Sequence, residues 1–224
     1  MADKEVKTAG EKFGAFLEKN KKGVAALLIV VLVLIAAFVI FEVVYSKNTE
    51  KNLSAVEAIS YELTDGAAAL EDSELTARMD SALEKLASYT NKGGVAGVRA
   101  NLLAAEIEYQ KKNYESAAAY WDAAASKGKK SYTAPLAYYN KASCLEENGD
   151  LDGAAAAYKL AADNENFILA SHAKFSYGRV LEAKGDYAGA VQAYKELNDS
   201  DPDDSWANLA KSRIIALQNE GKAE

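Results

Sequence analysis

One cysteine, one histidine and two prolines are all that these 224 residues contain of three residue types that usually carry chemistry or break regular structure. A single Cys144 cannot close an intramolecular disulfide, so the fold stands without one in any compartment. Its expected place is a small buried position in a helix. His172 alone supplies no triad and no metal cluster, and nothing resembles a nucleophile elbow. The acidic run Asp201, Asp203, Asp204 lacks the glycine and distant glutamate of a calcium loop, and helix capping accounts for it. Gly93, Gly94 and Gly97 cluster without a preceding strand, which a phosphate-binding fingerprint requires, and read as an inter-helix loop. Neither a reaction nor a cofactor or metal is expected.

Positive charge is also short, with 26 Lys+Arg against 33 Asp+Glu and a net charge of -7. Nucleic-acid binders gather basic residues on one face, so this balance argues against nucleic acid as a partner. Scarce proline, only 14 glycines and abundant alanine favour helix throughout. The expected class is all-α.

One long apolar run is present. From Gly23 to Phe41 no side chain is polar, and after Glu42 the run continues through Val43, Val44 and Tyr45. A bilayer core takes about 20 apolar residues as a helix, longer than the h-region of a signal peptide. An interfacial helix would need a charged face, absent here. The run therefore reads as a single transmembrane helix over residues 23–45. Glu42 stands at its outer edge, and Tyr45 is placed as an aromatic-belt residue. Six lysines precede it (Lys4, Lys7, Lys12, Lys19, Lys21, Lys22), whereas Lys47 and Lys51 follow it closely. That bias keeps residues 1–22 in the cytoplasm and sends the rest across, into the periplasm of a bacterial inner membrane. In the basic arm, Phe13, Phe16 and Leu17 form a short stripe suited to a surface helix or to the membrane face.

Beyond the span the chain repeats itself. Residues 111–125 (KKNYESAAAYWDAAA), 147–162 (ENGDLDGAAAAYKLAA) and 183–198 (AKGDYAGAVQAYKELN) superpose on Tyr114, Leu151 and Tyr187. Each has a turn (Asn113; Gly149-Asp150; Gly185-Asp186), then an alanine (Ala117, Ala154, Ala190), an aromatic (Trp121, Tyr158, Tyr194) and a small or apolar residue (Ala124, Ala161, Leu197). Upstream, small residues fall at Ala105, Ala142 and Gly178. These are the signature positions of the tetratricopeptide repeat, whose period of about 34 is slightly exceeded here through longer connections. Two helices cross closely only where side chains are small, and aromatics fill the wedge between hairpins. One hairpin cannot bury its own face, so hairpins stack.

A degenerate pair precedes the repeats, with helical spacing over residues 53–70 and 75–89 and Ala82, Leu86 and Tyr89 in second-helix positions. After them, a break at Asp201–Ser205 leads to a capping helix with Trp206, Leu209, Ile214 and Leu217 along one side. The expected organisation is a basic arm (1–22), a span (23–45), a linker with the degenerate pair (46–97), and repeats with a cap (98–224).

The tetratricopeptide resemblance implies a concave groove lined by the first helix of each hairpin. Its positions fall on Arg99, Leu102, Glu106 and Tyr109; Leu136, Tyr139, Ser143 and Glu146; and His172, Phe175, Arg179 and Glu182. Leu102, Tyr139 and Phe175 would form an apolar strip flanked by Arg99 and Arg179. Alternatively, the same strip packs against the degenerate pair. The carboxylate clamp of chaperone co-factors with this repeat needs Lys and Asn where this chain has Leu102 and Glu106, so that clamp is not expected.

The arm with FLEKNKKG, the single anchor, the degenerate pair and three hairpins together resemble one bacterial family, the ancillary SecYEG translocon subunits called YfgM-like. That resemblance implies a periplasmic, chaperone-like partner of the Sec translocon, working beside a membrane-anchored peptidyl-prolyl isomerase and receiving exported polypeptides. The competing reading is a scaffold that holds one folded envelope or cell-division partner.

Overall fold

The computed structural model describes residues 8–164 and 166–223, and the chain divides into two compact units, residues 1–48 and 49–224. Among the described residues every regular element is helical. The helices are α1 (Ala9–Lys19), α2 (Lys21–Thr64), α3 (Asp72–Thr90), α4 (Gly94–Gln110), α5 (Tyr114–Lys127), α6 (Thr133–Glu147), α7 (Leu151–Ala162), α8 (Ala170–Ala183), α9 (Tyr187–Ser200) and α10 (Ser205–Asn219).

In the first unit, α1 ends at a turn where the Asn20 amide donates to the Phe16 carbonyl at 2.9 Å. Phe13 and Phe16 are exposed on α1. The apolar stretch of α2 is long enough to cross a membrane, and none of its most apolar part is buried, which excludes a core helix.

The second unit starts with the degenerate pair. The last turns of α2 and all of α3 place Val56, Ile59, Met79, Ala82 and Leu86 against Leu103, Ala104 and Ile107 of α4. Each large side chain removed from water in this way contributes roughly 1.5–3 kcal/mol. α2 stops earlier than the apolar spacing predicts because Gly66 takes φ 65, and Arg78 donates to the exposed carbonyls of Glu62 and Asp65 at 3.2 and 2.6 Å. Gly94 and Gly97 lie within α4 and not in the loop expected for them. A Cβ on Gly97 would overlap the Lys92 carbonyl, so the helix can begin this close to the preceding turn only with glycine there.

Three hairpins follow, α4/α5, α6/α7 and α8/α9, with α10 packed on the last. Ala105, Ala117, Ala142, Ala154 and Ala190 are fully buried at the helix crossings, and Gly178 is buried among them. Trp121, Tyr158 and Tyr194 fill the wedges as expected. Asp150 and Asp186 cap α7 and α9, each carboxylate accepting an amide three residues on (Gly153, Gly189) at 2.9 Å. The capping helix differs in detail. Ala207, Ala210, Ile214 and Leu217 face the core, while Leu209 points outward, because the two alanines allow close approach and Leu209 falls on the other side of the turn.

The three hairpin turns make the same backbone hydrogen bonds, but the left-handed position is glycine in two of them (Gly149, φ 80; Gly185, φ 82) and Lys112 (φ 62) in the first. A side chain in that region costs about 1–2 kcal/mol, offset in part by the unfolded-state freedom of glycine. Lys112→Gly is expected to raise unfolding stability by about 0.5–1 kcal/mol, read as a higher urea midpoint at unchanged m-value. A lower midpoint would mean that the lysine side chain stabilises the turn.

Candidate functional site

Between α4 and α6 lies an open cavity of about 840 Å³. Its floor is Val98 and Leu102 from α4, Trp121 from α5 and Leu136 from α6. The end of α5 with Lys127, and the α5–α6 connection with Lys129, Lys130 and Tyr132, form one lip. Val95 and Tyr132 are 61% and 88% exposed, and Leu136 is 37% exposed, so the mouth presents apolar surface to solvent. A smaller adjoining cavity of about 290 Å³ shares Glu106 and Trp121 and reaches Tyr109, Asn140 and Ser143. Glu106 stands where the two meet. Burial pushes its carboxyl above the ordinary value, and Arg99 opposes that rise.

The expected groove residues divide into three groups. Leu102, Leu136 and Arg99 come together at the larger cavity, and Tyr109 lines the smaller one, where it meets Tyr114 edge-on at 5.5 Å. Arg99 is turned to the degenerate pair, its Nε donating to Glu57 at 2.7 Å. Tyr139 is half-buried in an aromatic cluster with Tyr158, Phe167 and His172, and its hydroxyl lies 3.1 Å from a His172 ring nitrogen. Burial lowers the His172 pKa and the charge of Arg179 lowers it further. Its ring stacks on Trp206 of α10 at 3.8 Å.

Phe175 is no part of an open strip. It is 7% exposed, sandwiched between Tyr194 and Trp206 at ring-centroid distances of 5.5 and 5.4 Å. The cap supplies the indole that covers it, and this cover could not be read from the repeat alone. Arg179 is committed as well, making two hydrogen bonds to Glu146, whose other contact is the Tyr158 hydroxyl. The same arrangement recurs one unit later, where Tyr194 and Arg213 both donate to Glu182. These carboxylates join successive units and are not free to hold a ligand.

The residues that the repeat signature missed are the lip. Lys129, Lys130 and Tyr132 belong to the inserted connection that lengthens the period, so the signal was present as an insertion and not as a motif. Cys144, fully buried beside Trp121 and Ala117, has its thiol pushed up to about 11 by burial and is unreactive at neutral pH.

Comparison with known proteins agrees with this architecture. Residues 14–219 match the tetratricopeptide repeat-like domain. The chain belongs to the tetratricopeptide repeat-like family. A curated relative, the TPR repeat-containing protein of Treponema pallidum (strain Nichols), is 35% identical over 148 residues, which cover 65% of this chain and 62% of that protein. The chain thus spans less than two thirds of that relative's length. Among solved structures, the crystal structure of Rap protein complexed with competence and sporulation factor aligns with a TM-score of 0.48 and 22% identity, over 75% of this chain and 47% of the other. A tetratricopeptide repeat-like stack is a protein-interaction scaffold: its helices supply surface, and its aromatics and ion pairs hold the units together.

Proposed function

We propose that this protein is a membrane-anchored periplasmic binding module that serves as an ancillary subunit of the Sec translocon and receives exported polypeptides in a chaperone-like manner. The observation that carries the reading is the pairing of an exposed, bilayer-length apolar stretch in α2, preceded by a lysine-rich segment, with an open apolar cavity on a repeat unit. The lysine bias favours a cytoplasmic N-terminus and a periplasmic repeat unit. Anchoring raises the effective concentration of the cavity near a translocon exit, so weak contacts with passing chains suffice. A membrane-anchored peptidyl-prolyl isomerase is the expected neighbour.

The test is photocrosslinking in native membranes from a photoreactive residue at Val95, on the cavity mouth. Capture of translocon subunits, the isomerase or nascent exported chains is expected. Capture of one other folded protein in fixed stoichiometry would replace this reading with that of an envelope or cell-division scaffold.

A further inference from the structure

We infer that the α4–α6 cavity selects a particular kind of polypeptide segment, one in which a bulky apolar side chain stands beside a carboxylate. The inference rests on the proposed polypeptide-binding role and gives it a chemistry. Val98, Leu102, Trp121 and Leu136 make the floor apolar, and the volume of about 840 Å³ admits more than one large side chain. Lys127, Lys129 and Lys130 stand together on the lip, and none of them has an ion-pair partner among the described residues. The arginine that lines the cavity is used differently: Arg99 is held by Glu57.

This lip is a local inversion of the chain's charge. The protein carries -7 overall, and residues 1–22 hold six lysines against four acids, so the remainder is more acidic still. Three uncompensated lysines beside exposed Tyr132 and Val95 are therefore complementary to an apolar segment bearing negative charge. Glu106, the carboxyl at the far end of the floor, opposes a second negative group there and favours orientation of the bound carboxylate toward the lysines. The carboxylate is that of an Asp or Glu side chain within the segment, because the open cavity admits an extended chain laid across it and the proposed role concerns passing chains.

The experiment uses the full-length protein in nanodiscs of zwitterionic lipid and three fluorescein-labelled short peptides read by anisotropy. One has a Leu-Phe-Asp-Glu core and an amidated C-terminus, the second has Leu-Phe-Asn-Gln in its place, and the third ends in Leu-Phe with a free carboxylate. The acidic core is expected to bind about tenfold tighter than the amide core at low salt, with the gap closing as salt screens the lip. The combined Lys127→Gln, Lys129→Gln, Lys130→Gln variant should erase that gap, so that the acidic and amide cores bind this variant equally. The third peptide, whose carboxylate is its terminus, is expected to bind no tighter than the amide core, and a lysine-dependent preference for it over the acidic core would overturn the assignment to side-chain carboxylates. Equal binding of acidic and amide cores, or a preference that survives the lysine variant, overturns it while leaving the binding role intact. Failure of all three peptides to bind counts against both.

Discussion

Gly178→Ala is expected to destabilise the repeat unit by about 2 kcal/mol, although intrinsic helix propensity favours alanine at a mid-helix position by about 1 kcal/mol. The two effects have opposite sign, and geometry decides between them. A Cβ on Gly178 would lie 2.5, 2.8 and 3.0 Å from ring carbons of Tyr194. That ring is fully buried, and its hydroxyl donates to Glu182 Oε1 at 2.6 Å, so it cannot tilt away without breaking a charge-assisted hydrogen bond. The preceding units have alanine at the same repeat position, Ala105 and Ala142, both fully buried, so the third hairpin is packed more tightly around glycine than its sequence relatives are. Urea unfolding of the full-length protein in detergent should show a lower midpoint at unchanged m-value. Adding Tyr194→Leu should recover part of the loss in a double-mutant cycle, because the smaller side chain vacates the contested space. A raised midpoint for Gly178→Ala would show that the ring yields and that propensity prevails.

That prediction also marks how far the sequence could be read. The hairpins, their small-residue crossings and their aromatic wedges were legible because the repeat imposes the same local contacts several times, and each copy corroborates the others. Gly178 and Ala105 occupy the same position in that pattern, yet the space around them differs. The difference depends on where the Tyr194 ring sits, a tertiary fact without a sequence period.

The surroundings of the expected groove residues were legible only in part, for the same reason. Repeat position places Leu102, Tyr139 and Phe175 on one face, but it says nothing of Trp206, which lies beyond the repeats and covers Phe175. Nor does it reveal that Arg179 is already matched by Glu146. Charge partners more than thirty residues apart are invisible to a pattern of single positions. The lysine lip was hidden in the opposite way, since it lies in residues that the repeat treats as excess length.

Replacing Glu182 by glutamine is expected to cost about 2 kcal/mol at neutral pH, and that cost should shrink in acid. The Glu182 carboxylate, whose side chain is 12% exposed, accepts from Tyr194 of its own hairpin and from Arg213 of α10, and so couples the last repeat to its cap. Burial raises its pKa, but the hydrogen bonds from Arg213 and Tyr194 outweigh burial and hold it below the ordinary value of 4.5. A depressed carboxyl pKa contributes stability that is fully present above the unfolded value and is lost as pH falls through the folded value. The native protein should therefore lose this contribution on acidification below about pH 4.5, whereas the glutamine variant, having no charge to lose there, shows a shallower decline. Arg213 is partly exposed, which is why the expected loss is set below that of a buried ion pair. Because a stack of repeats is held by nearest-neighbour contacts, the loss should first appear at its end. Hydrogen exchange at neutral pH is expected to quicken in α10, around Ile214 and Leu217, with α4 and α5 unchanged. Uniform acceleration through all the hairpins would mean that the unit unfolds as one body and that Glu182 does not act as a local coupling.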